Sequence, residues 1–517
     1  MPTAIVLATL NARYAHASLA LRYLRANLGP LREVSMLCEL VLGAAPEEVV
    51  EQLLAEGPRI VGLSVYIWNV APLTRVVALL KETAPDVVVV LGGPEVSHEV
   101  ESQRICALAD YVVTGWGEVT FARLAGAILD GQPPAAKVHA GEQPPLDSIR
   151  FPYDEFSDED LRRRNLYVEA SRGCPFKCAF CLSALDRTAW PFPLAPLIAE
   201  LERLYVRGAR RFKFVDRTFN LKLDHASAIL GFFLERIRER PDDLPFLHFE
   251  LVPDHLPERM KGMLVAFPAG TLQLEIGVQT FNPEVQALIS RRQDDVQAEA
   301  NLRWLHAETT AHLHADLIIG LPGEDPASFG AGFDRLMRIG PHEIQVGILK
   351  RLRGAPVCRH AERFGLVFSP DPPYSLLASD RIDRGTMQQL TRFARYWDLV
   401  GNSGRFGRTL PLLLGDAPFE RFLAWSDWFY AQSGKTHGIP LEHLYEGLHD
   451  WLSLQGIAES ATAALRSDYA ACGARGRLSF DPTRRIPPPS PKTEGALPTR
   501  QARHLTPRTR SSGSPTL

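Results

Sequence analysis

With 57 basic and 60 acidic side chains in 517 residues, the chain carries a net charge of −3 and makes no electrostatic case for nucleic acid or an anionic membrane. Its 45% hydrophobic and 23% charged content is ordinary for globular protein, and the length argues for three or four domains at roughly 100–200 residues each. No apolar run approaches the roughly 18 residues that span a bilayer, and the N-terminus lacks the basic-then-apolar order of a secretion signal. The expectation is a cytoplasmic protein with reduced thiols.

Residues 3–130 alternate apolar runs with helical patterns. Strands are expected at Thr3–Leu10, Glu33–Leu37, Arg59–Val65, Asp86–Leu91 and Tyr111–Thr114, with helices near 16–28, 46–56, 70–84 and 119–130. Val87–Leu91 is continuously apolar, as in a parallel strand buried on both faces. The alternation predicts a doubly wound, Rossmann-like α/β domain over 1–135 with five or so strands. Residues 131–160 are rich in Pro, Gly and acid, and a linker is expected over 136–160. The alternation then resumes, with strands at Leu166–Glu169, Arg211–Val215, Phe246–Leu251, Thr271–Val278, His312–Ile319 and His342–Ile348. Helices between them fall near 192–207, 223–239 and 284–306. Six such units predict a partial (β/α)6 barrel over 161–365, with its chemistry at the carboxyl ends of the strands. A helical C-terminal domain over 366–478 follows, with helices at Met387–Leu399, Pro418–Gln432 and Pro440–Gln455. Residues 479–517, rich in Pro, Arg, Ser and Thr, read as a disordered tail.

Of seven cysteines, Cys38, Cys106, Cys358 and Cys472 are scattered. Cys174, Cys178 and Cys181 fall within eight positions, spaced C-x3-C-x2-C, with Phe180 just before the last. Thiolates hold iron–sulfur clusters, and a cubane normally takes four. Three leave one iron open to a small molecule, which suits a reactive cluster more than an electron wire. A structural zinc site would need a fourth ligand, and no histidine occurs in the 30 residues after Cys181. Disulfides do not suit a chain without a secretion signal.

With these residues in view, the chain resembles the cobalamin-binding radical S-adenosylmethionine (SAM) enzymes over about residues 1–365. The resemblance implies a [4Fe–4S] cluster on Cys174, Cys178 and Cys181, with SAM chelated at the open iron and Phe180 beside it. Phe214–Asn220 is similar to the segment near the methionine end of SAM, with Asp216 in place but Arg217 where a second acid often stands. Glu275–Gln279 resembles the fourth-strand segment that approaches the ribose, which implicates Glu275 and Gln279. Asp316–Glu324 is similar to the fifth-strand segment beside the adenine, which implicates Ile318 and Gly320. Glu250, on the third strand, is a weaker candidate for cofactor or substrate.

In the N-terminal domain, Ser64 and Gly92-Gly93 match the serine and double-glycine positions of cobalamin domains. Gly115-Trp-Gly-Glu118 resembles their Gly-Glu-Gly-Glu segment, placing Gly115 and Glu118 with cobalamin. Many such domains carry Asp-x-His-x-x-Gly after the first strand, the histidine ligating cobalt. Here the stretch is Asn11–His16, with Asn11 and Arg13 at the matching positions, and arginine is a poor metal ligand. Either cobalt has no protein ligand below, or cobalamin is not bound. Tyr66, Trp68 and Asn69 suit the corrin face or an interface to the barrel equally. Tyr396–Phe406 is the most distinctive stretch of the C-terminal region.

The resemblance implies reductive cleavage of SAM to a 5′-deoxyadenosyl radical, followed by methyl transfer from cobalamin to an unactivated carbon or a phosphorus of a metabolite. A reductant such as flavodoxin or ferredoxin is implied. The alternatives are a radical rearrangement or oxidation without methylation, and a corrinoid or cluster sensor without turnover. A methylthio-transferring RNA modifier is disfavoured, since that class needs a second cysteine triad in its N-terminal domain, where only Cys38 and Cys106 occur.

Overall fold

The structure, a computed structural model, describes residues 3–186, 188–482 and 499–504. The chain forms two compact units. The first comprises Met1–Glu250, Gln286–Arg292 and Leu349–Asp380; the second comprises Leu251–Val285, Gln293–Ile348 and Arg381–Leu517. Each unit gathers stretches that are far apart in sequence.

The first unit begins with β1 (Ile5–Asn11), α1 (Leu19–Ala26), β2 (Ser35–Val41), α2 (Pro46–Leu54), β3 (Ile60–Ser64), α3 (Val70–Thr83), β4 (Val88–Gly92), α4 (Arg104–Leu108), β5 (Tyr111–Thr114), α5 (Glu118–Leu129) and β6 (Val138–Ala140). The strands make one sheet in the order β2-β1-β3-β4-β5-β6, with parallel pairings throughout. Every residue of β1 is buried, as a central parallel strand requires. On one face, Leu21 of α1 and Phe121, Leu124 and Ile128 of α5 pack against Ile5, Leu7, Ile60 and Val90. On the other, Leu53 of α2, Val76 and Leu80 of α3 and Ile105 of α4 pack against Val6, Val61 and Val89. Helices on both faces make the domain doubly wound, and the strand order turns back between β1 and β3, where such folds open a crevice.

Two expectations shift here. The second strand runs Ser35–Val41, after a 3-10 turn over Gly29–Val34. The expected linker contains β6, a sixth strand that pairs Val112 with Val138. Two of its three residues are exposed, so it carries no strong apolar signal, and its backbone pairing with β5 holds it in the sheet.

The first unit also contains parallel strands Leu166–Val168, Arg211–Phe214 and Phe246–Leu251, with helices Leu194–Val206 and Leu223–Glu239 between them. The second unit holds three more parallel strands, Leu272–Gln279, His312–Ile319 and Glu343–Ile348, with helices Asp295–Glu308 and Pro326–Ile339. This is the repeating strand–helix order expected of a partial barrel. The helix expected over 284–306 is broken into Pro283–Leu288 and Asp295–Glu308. Ser290 sits at φ +56°, and Asp294 restarts the helix by accepting from the N–H of Val296 and Gln297.

The C-terminal region is helical, with Arg384–Leu399, Pro418–Ser433, Leu441–Leu454 and Ala458–Ala471. Its distinctive stretch has a structural use. Trp397 Nε1 and Asn402 Nδ2 both donate to the Ile344 carbonyl, each at 2.9 Å, while Asn402 Oδ1 accepts from the Ile344 N–H at 2.9 Å. An edge strand that would expose its backbone is thereby satisfied. Phe419, Phe422, Trp425 and Phe429 are buried and form core. Of the tail, residues 483–498 and 505–517 lie outside the described residues. The six between form a short helix, Thr499–His504, whose anchors are polar. Arg500 reaches Glu343 at 3.0 Å and Asp398 at 2.8 Å. Among the described residues, no helix is long and apolar enough to cross a membrane.

Candidate active site

The cysteine loop is pinned at its base. Ser171–Gly173 pairs antiparallel with Ala189–Pro191, so the loop leaves and re-enters through one two-stranded clip. Cys174 and Cys178 are buried and Cys181 is half-buried. The Cys181 N–H donates to the Cys178 carbonyl at 3.0 Å, and the Ala179 N–H to the Ile289 carbonyl at 2.8 Å. The second bond comes from the helix break at 289–294. The same break brings Arg291 Nη1 to 3.7 Å from Cys178 Sγ. Burial pushes the Cys174 and Cys178 thiols up, and at Cys178 the Arg291 guanidinium opposes it. A buried thiol of this kind is inert until a metal displaces its proton. All seven cysteines are unbridged.

Among the described residues, no three His, Cys, Asp or Glu side chains converge on one point as a single-ion site would require. Three thiols spread along a loop do suit a cubane, which takes each thiolate at a separate corner. Phe180 lies in the same loop and is half-buried.

Asp216 follows strand Arg211–Phe214 and is buried. It accepts from the Ala170 N–H at 3.0 Å and from Ser171 Oγ at 2.5 Å, tying the second strand to the entrance of the cysteine loop. Burial raises its pKa to about 7. Arg217, at the position where a second acid often stands in the similar segment, contacts Glu250 of the next strand at 3.2 Å.

In the second unit, Leu272–Gln279 alternates buried and half-buried residues, placing Glu275 and Gln279 on the more open face. Gln279 adopts φ +73° beside a register shift, a strained conformation for a non-glycine residue and one found at ligand sites. Ile318 is on the half-buried face of the neighbouring strand, and Gly320 turns the chain just beyond it at φ +85°.

A cavity of about 550 Å³ opens at the carboxyl ends of β3, β4 and β5, a usual size for a cofactor cleft. Ser64, Tyr66, Gly92, Gly93, Gly115 and Glu118 all line it. Gly93 is required for steric reasons. Its φ is +107°, and a Cβ there would lie 2.5 Å from the Val65 carbonyl oxygen. Asn11 and Arg13 are not among the residues that line this cavity. Asn11 is buried and donates to Glu39 at 3.0 Å, while Arg13 is exposed. Glu39 is the reason: a buried carboxylate must be paired, and it also meets Arg22 and Arg164, each at 2.8 Å. The end of β1 is thereby committed to an internal ion cluster.

The lining includes residues that the sequence did not single out. Leu182, Ser183, Leu185 and Asp186 of the cysteine loop form part of the wall, as do His98, Glu169 and Arg172. Arg172 donates to Glu118 at 2.8 Å and to Glu169 at 2.8 Å, with its guanidinium 4.6 Å from the Trp116 ring centroid. Glu118 Oε2 is buried without a hydrogen-bond partner. A spare acceptor beside a glycine-lined cleft fits a cofactor that is flat and edged with amide N–H donors, as cobalamin is. An Arg before a cysteine motif and a Glu opening a helix are the signals that point to this pair.

Three family models match the sequence: the B12 binding domain over residues 5–125, the radical SAM superfamily over 168–336, and a protein of unknown function (DUF4080) over 362–481. The cobalamin-dependent radical SAM methyltransferase TokK of Streptomyces tokunonensis is 26% identical over 446 residues, covering 78% of this chain and 63% of TokK. The chain thus spans less than two thirds of that relative's length. The tRNA-2-methylthio-N(6)-dimethylallyladenosine synthase of Saccharophagus degradans is 24% identical over 266 residues, 50% of this chain and 57% of that protein. Among solved structures, the cobalamin-dependent SAM radical enzyme OxsB, with aqua-cobalamin and SAM bound, superposes with a TM-score of 0.60 at 13% identity, over 90% of this chain and 84% of that one. A doubly wound B12-binding domain joined to a radical SAM region defines the class. The chain belongs to the cobalamin-binding radical SAM enzymes.

Proposed function

We propose that this chain is a cobalamin-dependent radical SAM methyltransferase that methylates an unactivated carbon, or a phosphorus, of a small metabolite. The observation that carries the reading is the shared wall: Leu182, Ser183, Leu185 and Asp186 of the cysteine loop line the same cavity as Gly93 and Glu118. Cys174, Cys178 and Cys181 would hold the [4Fe–4S] cluster. Asp216, Phe180, Glu275, Gln279, Ile318 and Gly320 are the candidates for SAM, and Ser64, Tyr66, Gly92, Gly93, Gly115 and Glu118 for cobalamin. When bound, these cofactors supply a carbon radical and a transferable methyl group, the chemistry that side chains lack. The protein's own part is placement. Arg172 fixes the loop entrance against α5, Asp216 fixes it against the second strand, and the apolar cavity walls keep water from a reactive carbon. Cytoplasmic location and a low-potential electron carrier belong to the same reading.

The test is anaerobic. The protein is purified, its cluster rebuilt, hydroxocobalamin added and the excess removed, and corrinoid is counted per chain. Near one per chain, with S-adenosylhomocysteine and 5′-deoxyadenosine both formed on turnover, supports methyl transfer. No retained corrinoid, with 5′-deoxyadenosine alone, would sink it in favour of a radical reaction without methylation.

A further inference from the structure

A reactive cluster must be recharged with electrons from outside, and the surface beside the cysteine loop has the charge to receive a protein that brings them. Three segments of the first unit meet there: 175–186, 286–292 and 355–365. The first two are joined by the Ala179–Ile289 backbone bond. The last two are joined by Arg359, which donates to Ser290 Oγ at 2.9 Å. On these segments stand Lys177, Arg291, Arg292, Arg359 and Arg363, against two carboxylates, Asp186 and Glu362. Lys177, Arg292, Arg359 and Arg363 are exposed. The chain as a whole is slightly acidic at −3, so a local excess of cations is a feature of this face and not of the protein.

The contacts of Arg359 and Arg363 orient them without cancelling their charge, whereas Lys177 faces Asp186. Arg359 is bonded to a hydroxyl, and the Arg363 guanidinium lies 4.9 Å from the Phe364 ring centroid. Arg292 is exposed and Arg291, next to it, is 3.7 Å from Cys178 Sγ. The path from solvent to a cluster thiol is therefore two residues long.

We propose that this face is the docking surface for an acidic one-electron carrier protein, and that Arg292, Arg359 and Arg363 steer it. The proposal rests on the cysteine triad holding a [4Fe–4S] cluster. One electron leaves the carrier's reduced prosthetic group and enters the oxidised cluster; the carrier is oxidised by one electron, the cluster reduced by one, and no bond is made or broken. Complementary charge raises association rates by 10- to 1,000-fold at low salt and loses that advantage as salt screens it.

The test compares two reductants on the intact, cluster-loaded chain. Reduced flavodoxin is the protein probe and dithionite the small-molecule control, with cluster bleaching followed by stopped flow. In an Arg292→Glu/Arg363→Glu variant, reduction by flavodoxin at low ionic strength is expected to slow by about tenfold or more. The parent's rate should fall with added salt, and the two should converge at high salt. Reduction by dithionite at high salt, where its own negative charge is screened, should be the same in both, which also shows that the variant is folded and loaded. Equal flavodoxin rates at low salt, or a parent rate indifferent to salt, would overturn the docking surface. A parent that dithionite cannot reduce would overturn the cluster reading beneath it. If the parent shifts with total tRNA in a gel, the variant does not, and flavodoxin rates are unchanged, the face binds a phosphate backbone and the proposal fails.

Discussion

Arg172 Nη1 lies 2.8 Å from Glu118 Oε1, so the residue two places before Cys174 is bonded to the first turn of α5. Its other nitrogens grip Glu169. The three side chains are 8–13% exposed. A charge pair this dry contributes less by attraction than it costs when one member is lost.

Arg172→Ala is accordingly expected to destabilise the folded chain by about 3–5 kcal/mol, because it strands two buried carboxylates. Arg172→Lys should recover only part of this, since a single ammonium cannot serve both acids in the geometry of a guanidinium. Denaturant unfolding of the apo protein measures both. A double-mutant cycle with Glu118→Gln should return a coupling energy of about 1–3 kcal/mol.

Gly93→Ala places a methyl group 2.5 Å from the Val65 carbonyl at a φ of +107°. The loop after β4 must shift, at a cost of about 1–3 kcal/mol. Corrinoid retention is expected to fall sharply while iron per chain stays at the parent value. Loss of both in equal measure would mean that the substitution unfolds the unit and does not act on the cavity.

Cys178→Ala removes the middle thiol of the triad. Visible iron–sulfur absorption and SAM cleavage should both disappear, whereas corrinoid binding should persist. Retention of absorption and cleavage together would remove the cluster assignment.

Glu324 predicts a pH dependence. It is buried, accepts from Thr280 Oγ1 at 3.1 Å and Ser328 Oγ at 2.8 Å, and leaves Oε2 without a hydrogen-bond partner. Burial raises its pKa from the ordinary 4.5 to about 7. Between those values the folded chain holds a proton that the unfolded chain has released. Stability from this group is therefore present below about pH 4.5 and lost as the pH rises through about 7. Glu324→Gln should remove that slope. Over this window the variant should gain on the parent by on the order of 3 kcal/mol, at 1.36 kcal/mol per pKa unit. Melts from pH 5 to 8 decide it, and parallel curves would refute it. Asp216, also raised to about 7, leaves the variant a residual slope of the same sign.

The sheet of the first unit was legible because buried parallel strands must be largely apolar, as Ile5–Leu10 is save for Thr9. The cavity glycines were legible because a strand end that admits no Cβ has few alternatives. What escaped was decided by partners distant in sequence. β6 pairs through its backbone and needs no pattern. Asn11 donates to Glu39, 28 residues on, a pairing that no local pattern reveals. Arg172 and Arg291 look like surface charge until their neighbours are known. The break at Ser290 lies inside a segment whose residues all tolerate a helix, and only the cysteine loop shows what the break is for.

The first unit is built from three separated stretches, the last ending at Asp380. During synthesis, Cys174, Cys178 and Cys181 therefore emerge long before Ile289 and Arg291, which brace their loop, and before the 349–380 stretch completes the unit. A nascent chain paused between these points would display three thiols with neither the brace nor the basic face in place. Iron loading must then follow release of most of the polypeptide. Expression conditions that outpace folding should yield a chain that is full length, well made in its N-terminal sheet, and empty of iron.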